Sequence, residues 1–119
     1  VNRTNPKSTA KAILIAYKSK DLRMLSSLSH SYNVQLFTEM TEQDVTHPRY
    51  NSLWKGWRWD AVNNWDGHSL KIIKENEKSS RVKFGESEED NEDYVVTLHW
   101  EDGKWCFEDI HSPSKMSAR

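Results

Sequence analysis

At 119 residues the chain is long enough for one domain with a real core and too short for two. Apolar residues are 35% and mean hydropathy is -0.91, so six Trp, four Tyr and three Phe must supply much of the buried area. A balance of 17 basic against 18 acidic residues argues against nucleic-acid and membrane-surface binding, and a single cysteine, Cys106, excludes an intrachain disulfide and a cysteine-built zinc site.

In chain order, the polar opening over residues 1–7 reads as a disordered leader and residues 112–119 as a tail, which leaves one domain over 8–111. An opening on Val1 is either a boundary or the stub of a removed export signal. The compartment stays open, with a periplasmic or secreted place favoured over a cytoplasmic one. No apolar run reaches the length of a membrane span. Ser8 or Thr9 is expected to cap a helix carrying Ala12, Ile13, Ala16 and Tyr17, which stops near Lys20. Asp21 then caps a short helix with Leu22, Leu25 and Leu28 on one side. Residues 35–40 fit a helix better than a strand. After a break at residues 46–48, one longer helix is expected from about 49 to 64, ended by Asp66-Gly67.

From His68 the pattern turns to strands. HSLKIIKE and RVKFGE are joined by a polar turn around residues 76–79, and ESEEDNED (86–93), with six acids in eight residues, reads as a solvated loop. DYVVTLHW and KWCFEDI flank a hairpin turn at Asp102-Gly103. Helices first and an antiparallel meander second make an α+β layout.

The stretch LWKGWRWDAVNNWDG (53–67) holds four of the six tryptophans. On one continuous helix, Tyr50, Trp54, Trp57, Ala61 and Trp65 share a stripe, while Trp59 faces away with Asn63. The three striped tryptophans are either core packing under a sheet or the ring-lined mouth of a ligand pocket. Arg58 falls inside the stripe, where a guanidinium stacks on rings and keeps its charge. It serves either as an ion-pair partner for Asp109 or as a clamp for a ligand carboxylate.

A two-residue turn at Asp102-Gly103 sets the hairpin register: Glu101 faces Lys104, Trp100 faces Trp105, His99 faces Cys106 and Leu98 faces Phe107. An unbroken ladder then pairs Thr97 with Glu108, Val96 with Asp109, Val95 with Ile110 and Tyr94 with His111. That register places Asp109, His111 and Tyr94 on the core face beside Trp100, Trp105, Leu98 and Phe107. Asp109 there is either a pocket acid or base, or a strand-end carboxylate that reaches solvent. Tyr94, Asp109 and His111 form the one acid–base cluster that the sequence suggests.

The five histidines show no metal-ligand spacing, the acidic loop lacks the calcium-loop pattern, and four glycines make no phosphate-binding loop. Neither a metal nor a cofactor is expected. His99 opposite Cys106 reads as packing on the outer sheet face.

Two stretches carry a family likeness. AILIAYKSKDLRMLSSLSH resembles the opening of the nuclear-transport-factor-2-like superfamily, which includes the SnoaL-like and cystatin-like bacterial domains. HWEDGKWCFEDIH is similar to the closing hairpin of the same superfamily. The resemblance spans about residues 8–111. It implies a cone-shaped α+β fold, in which a curved antiparallel sheet wraps a helix and leaves a pocket, and a homodimer formed through the sheet face. Members range from isomerases, dehydratases and polyketide cyclases to transport factors, so the fold alone does not assign a function.

The leading expectation is a small non-catalytic binding or interaction module, taking a small apolar or anionic ligand near Arg58, Trp54, Trp57 and Trp65, or a protein partner. One rival is a pocket enzyme of the isomerase, dehydratase or hydrolase type, with Asp109 and His111 as its acid–base pair and Tyr94 orienting. Another is an immunity-type protein that blocks a toxin through the acidic run 86–93.

Overall fold

Asn5 opens the first helix, three residues ahead of the expected start. Its side chain accepts from the Ser8 amide at 3.2 Å, and Pro6 at the first helical position has no N–H to leave unpaired. The computed structural model describes residues 1–88 and 91–112, without the side chain of Tyr32. The stretch expected as a tail therefore lies, from residue 113, outside the described residues.

Helix α1 (Pro6–Lys18) ends in a Schellman arrangement: the Asp21 amide donates to the Ala16 carbonyl at 2.8 Å and the Lys20 amide to Tyr17 at 3.1 Å. Lys20, not a glycine, takes the left-handed position there, with φ +58°. Its ammonium lies 5.8 Å from the Trp54 ring and 5.5 Å from the Trp59 ring, a cation–π contact that offsets the backbone cost. Asp21 then caps α2 (Leu22–Leu28), accepting from the Met24 amide at 3.0 Å. Helix α3 (Ser31–Gln43) follows, and a short 3₁₀ turn over Asp44–Thr46 leads to the tryptophan-rich stretch.

That stretch is two helices, where the sequence suggested one. Helix α4 (Tyr50–Leu53) and helix α5 (Trp57–Asn63) are separated by Trp54, Lys55 and Gly56. Gly56 adopts φ +87°, a left-handed conformation that breaks the ladder. The Tyr17 hydroxyl donates to the Leu53 carbonyl at 2.6 Å, which satisfies an end of α4 and ties the break to α1.

The meander comprises β1 (Lys71–Glu75), β2 (Ser79–Glu86), β3 (Asp93–Glu101) and β4 (Lys104–His111), paired antiparallel in that order. The sheet is curled but not closed, so the fold is α+β with the helices packed against it. The core joins Ile13, Leu14 and Tyr17 of α1, Leu25 and Leu28 of α2, Met40 of α3 and Val62 of α5 to Val82, Val96, Leu98, Phe107 and Ile110 of the sheet.

The β3–β4 ladder follows the expected register from Glu101–Lys104 to Leu98–Phe107 and then shifts by one. Thr97 pairs with Asp109, Val96 with Ile110 and Val95 with His111, leaving Glu108 without an opposite residue: a β-bulge. The bulge corrects the face assignment. Ile110, 1% exposed, takes the core place opposite Val96, and Asp109 moves off it.

An open edge strand invites pairing with other chains, and the edge of β4 is covered by four residues from three segments. Arg3 exchanges two bonds with Trp105: the Trp105 amide donates to the Arg3 carbonyl and Arg3 Nε to the Trp105 carbonyl, each at 2.8 Å. The His30 amide donates to the Phe107 carbonyl at 3.2 Å, Asn33 Nδ2 to Glu108 at 3.0 Å and Arg58 Nε to Ile110 at 3.0 Å. Arg3 thus docks on the sheet although it belongs to the stretch expected as a leader. At the opposite edge, β1 is defended by Lys71, Lys74 and a bulge between Ile72 and Lys74.

Candidate functional site

The break between α4 and α5 opens a cavity of about 400 Å³ against β4. Leu36 and Phe37 of α3, Leu53, Trp57 and Phe107 form its apolar part, and Tyr17 closes it toward α1. Charge enters with Arg49, Lys55 and Arg58 on one side and Glu108 and Asp109 on the other. Arg58 Nε stands 3.5 Å from Asp109 Oδ1 and donates to the Ile110 carbonyl, so this cation and this acid are largely engaged with each other and with the strand end. The pair is part-exposed, at 28% and 43% of its side chains, and so contributes little as a Coulombic term. Arg49 and Lys55 have no ion-pair partner among the described residues, and Glu108 lines the same cavity.

Tyr17 is the buried polar group of this cavity. Burial pushes its hydroxyl up to about 12, with Arg58 pulling it down and Asp109 adding to the rise. It therefore stays a neutral hydrogen-bond donor over the whole physiological range.

A second cavity, of about 640 Å³, lies on the other side of α5, between that helix, the end of β2 and the start of β3. Trp57, Trp65, Phe84 and Tyr94 line it, together with Asp60, Glu86 and Glu88. A third, of about 260 Å³, lies beside β1 and the β2–β3 loop and includes Ile73, Arg81, Val95 and His111.

These placements sort the residues singled out from the sequence. Asp109 lines the first cavity, Tyr94 the second and His111 the third, so the structure does not bring the three together. The cause is the bulge at Glu108, which shifts β4 by one residue so that His111 pairs with Val95, Asp109 pairs with Thr97 and neither stands opposite Tyr94. Trp57 and Arg58 do meet Asp109, because the α5 start faces β4, with the Arg58 guanidinium 4.6 Å from the Trp57 ring.

Trp54 lines none of the three cavities. The break at Gly56 parts it from Trp57 and packs it at 5.5 Å from both Tyr17 and Trp59, and at 6.0 Å from Tyr50. Trp59, expected to face away, thus belongs to the same ring cluster. Trp65 is 5% exposed and donates through Nε1 to the Ser69 carbonyl at 2.9 Å, a core residue whose surface borders the second cavity. Sequence reasoning missed Leu36, Arg49 and Lys55, which lie on different elements and carry no shared spacing. Tyr17 was visible only as one position of a helical stripe.

Among the described residues no three His, Cys, Asp or Glu side chains are placed to hold a metal ion, and no helix is long and apolar enough to cross a membrane. Cys106 is 1% exposed, and burial raises its thiol, against the pull of Arg3 whose Nη2 lies 3.3 Å from Sγ. It is a packed residue opposite His99. No protein-family model matches the chain, nor does any curated protein or solved structure match it significantly.

Proposed function

We propose that the protein is a non-catalytic binding module that holds a small apolar or aromatic molecule bearing an anionic group in the cavity between α3, the α4–α5 break and β4. The observation that carries this reading is the composition of that cavity. An apolar part made by Leu36, Phe37, Leu53, Trp57 and Phe107 lies beside two cations, Arg49 and Lys55, that form no ion pair among the described residues. Its volume, about 400 Å³, is that of a site for a small organic ligand. A pocket between helices and a curved sheet is also what resemblance to the nuclear-transport-factor-2-like superfamily implies, and we read the chain as a relative of that superfamily.

Catalysis gains no support from the arrangement, since general acid–base work needs its groups within hydrogen-bond reach of one substrate. The acid with a cation beside it, Asp109, has no second titratable partner from the expected set in its cavity.

The test is a calorimetric comparison of anilinonaphthalene sulfonate with its neutral counterpart, N-phenyl-1-naphthylamine. The reading expects the anion to bind more tightly. Replacing both Arg49 and Lys55 with Gln should weaken it about tenfold, one charge-assisted contact's worth. The variant Leu36→Trp, which fills the cavity, should abolish binding of both probes. Undiminished binding to Leu36→Trp would remove the site from consideration.

A further inference from the structure

The second cavity differs from the first in charge: its lining carries three carboxylates and no cation. Glu86 is already answered, because Lys83 is hydrogen-bonded to it and stands 3.0 Å from Asp93. Asp60, on α5, and Glu88, in the turn after β2, have no ion-pair partner among the described residues. They border the same space as four aromatic side chains. Such a space suits a ligand with a slim apolar stem and a positive end.

The ring geometry narrows the cation. Trp57 stacks on Tyr94 at 5.9 Å and 20°, Tyr94 stacks on Phe84 at 6.1 Å and 27°, and the Arg58 guanidinium lies 4.6 Å from the Trp57 ring. The electron-rich faces of these rings are therefore largely occupied by one another and by Arg58. A quaternary ammonium ion, which is recognised by open ring faces, finds no cage here. What remains for recognition is hydrogen bonding to Asp60 and Glu88, with ring edges along the stem. A guanidinium satisfies carboxylates in a planar, two-pronged way that a methylated ammonium cannot.

We propose that this cavity is a second binding site, separate from the anion-taking one, and that it receives an alkyl guanidinium: the side chain of an arginine in a polypeptide, or a free small guanidinium compound. The two sources share one chemistry and differ in what surrounds the stem.

The proposal is tested by nuclear magnetic resonance titration of the full chain, following the Trp57 and Trp65 indole signals. The probes are agmatine and an acetylated, amidated glycine peptide with one central arginine, with the matching citrulline peptide and tetramethylammonium as controls. Both guanidinium probes should move the Trp57 and Trp65 signals saturably, and the citrulline peptide and tetramethylammonium should bind at least about tenfold more weakly. Tighter binding of the peptide assigns the polypeptide source, and tighter binding of agmatine the free compound. The exposed substitutions Asp60→Asn and Glu88→Gln, with their folds checked by unchanged spectra elsewhere, should each weaken the guanidinium probes about tenfold and leave sulfonate binding in the first cavity untouched. Equal binding of arginine and citrulline peptides, no movement of the indole signals, or binding indifferent to both carboxylate substitutions would overturn the proposal.

Discussion

Arg58 Nε stands 3.0 Å from the carbonyl oxygen of Ile110 and 3.5 Å from the carboxylate of Asp109, so one guanidinium both closes the end of an edge strand and answers the acid beside it. The carbonyl bond matters more for stability, because the ion pair is part-exposed and screened. Arg58→Ala should cost about 2 kcal/mol in urea unfolding, since it also leaves a carbonyl of the β4 edge without its donor. Asp109→Asn should cost less than about 1 kcal/mol. Equal losses for the two would show that the charge pair, not the strand bond, holds this corner.

The turn that sets the first cavity depends on Gly56. A side chain there would meet nothing within 4 Å, so the whole penalty of Gly56→Ala is backbone strain at φ +87°, about 1–2 kcal/mol. Gly85→Ala is the control, with no left-handed φ and a Cβ that would rest 3.7 Å from Tyr94 Cδ2, an ordinary contact. It should be within about 0.5 kcal/mol of the parent protein. Denaturant midpoints of the two variants, measured side by side, check the contrast.

Tyr17 ties stability to pH at the alkaline end. Its folded value, about 12, lies above the ordinary 10.0, because burial disfavours the phenolate. The stabilisation is fully present below pH 10 and is lost as pH rises from about 10 toward about 12. An ultraviolet difference titration should show one tyrosine ionising late, and Tyr17→Phe should remove that step. The same substitution leaves the Leu53 carbonyl unpaired at the α4–α5 break, at a cost of about 1 kcal/mol.

Arg3 covers Cys106, and two opposed effects follow from removing it. The thiol loses the nearby cation that favours its thiolate, which slows reaction with a disulfide reagent. The β4 edge also loses the guanidinium bonds to the Trp105 carbonyl at 2.8 Å and the Ser27 carbonyl at 3.1 Å, while the Trp105 amide keeps its bond to the main-chain carbonyl of residue 3, and local opening becomes easier. These two side-chain bonds, at about 1 kcal/mol each, outweigh the loss of a partly screened charge, so Arg3→Ala should label about tenfold faster than the parent. Slower labelling of that variant would show that the charge dominates.

Much of the fold was legible. Alternation and the Asp102-Gly103 turn set the hairpin from Glu101–Lys104 to Leu98–Phe107, and leucine spacing placed α2. The bulge at Glu108 carried a signal that strict alternation overrides: buried Trp105 and Phe107 are odd-numbered, and the next buried position is Ile110. Gly56 was less readable, because a lone glycine inside a helical pattern is often tolerated, and here tertiary contacts of Tyr17 and Lys20 with the break decide against the helix. The pairing of Arg58 with Asp109 was one of two open readings, and geometry holds it at 3.5 Å. The first cavity's other parts could not be read in advance. Leu36, Arg49 and Lys55 come from three segments whose meeting depends on that same break.

The most direct test of the proposed binding site is a methyl and indole resonance titration with anilinonaphthalene sulfonate. The account predicts saturable shifts of the Leu36 and Leu53 methyl groups and of the Trp57 indole, with Trp100 and Trp105, paired at 5.1 Å near the hairpin turn, unmoved. Leu36 and Leu53 unmoved while signals elsewhere shift would contradict it.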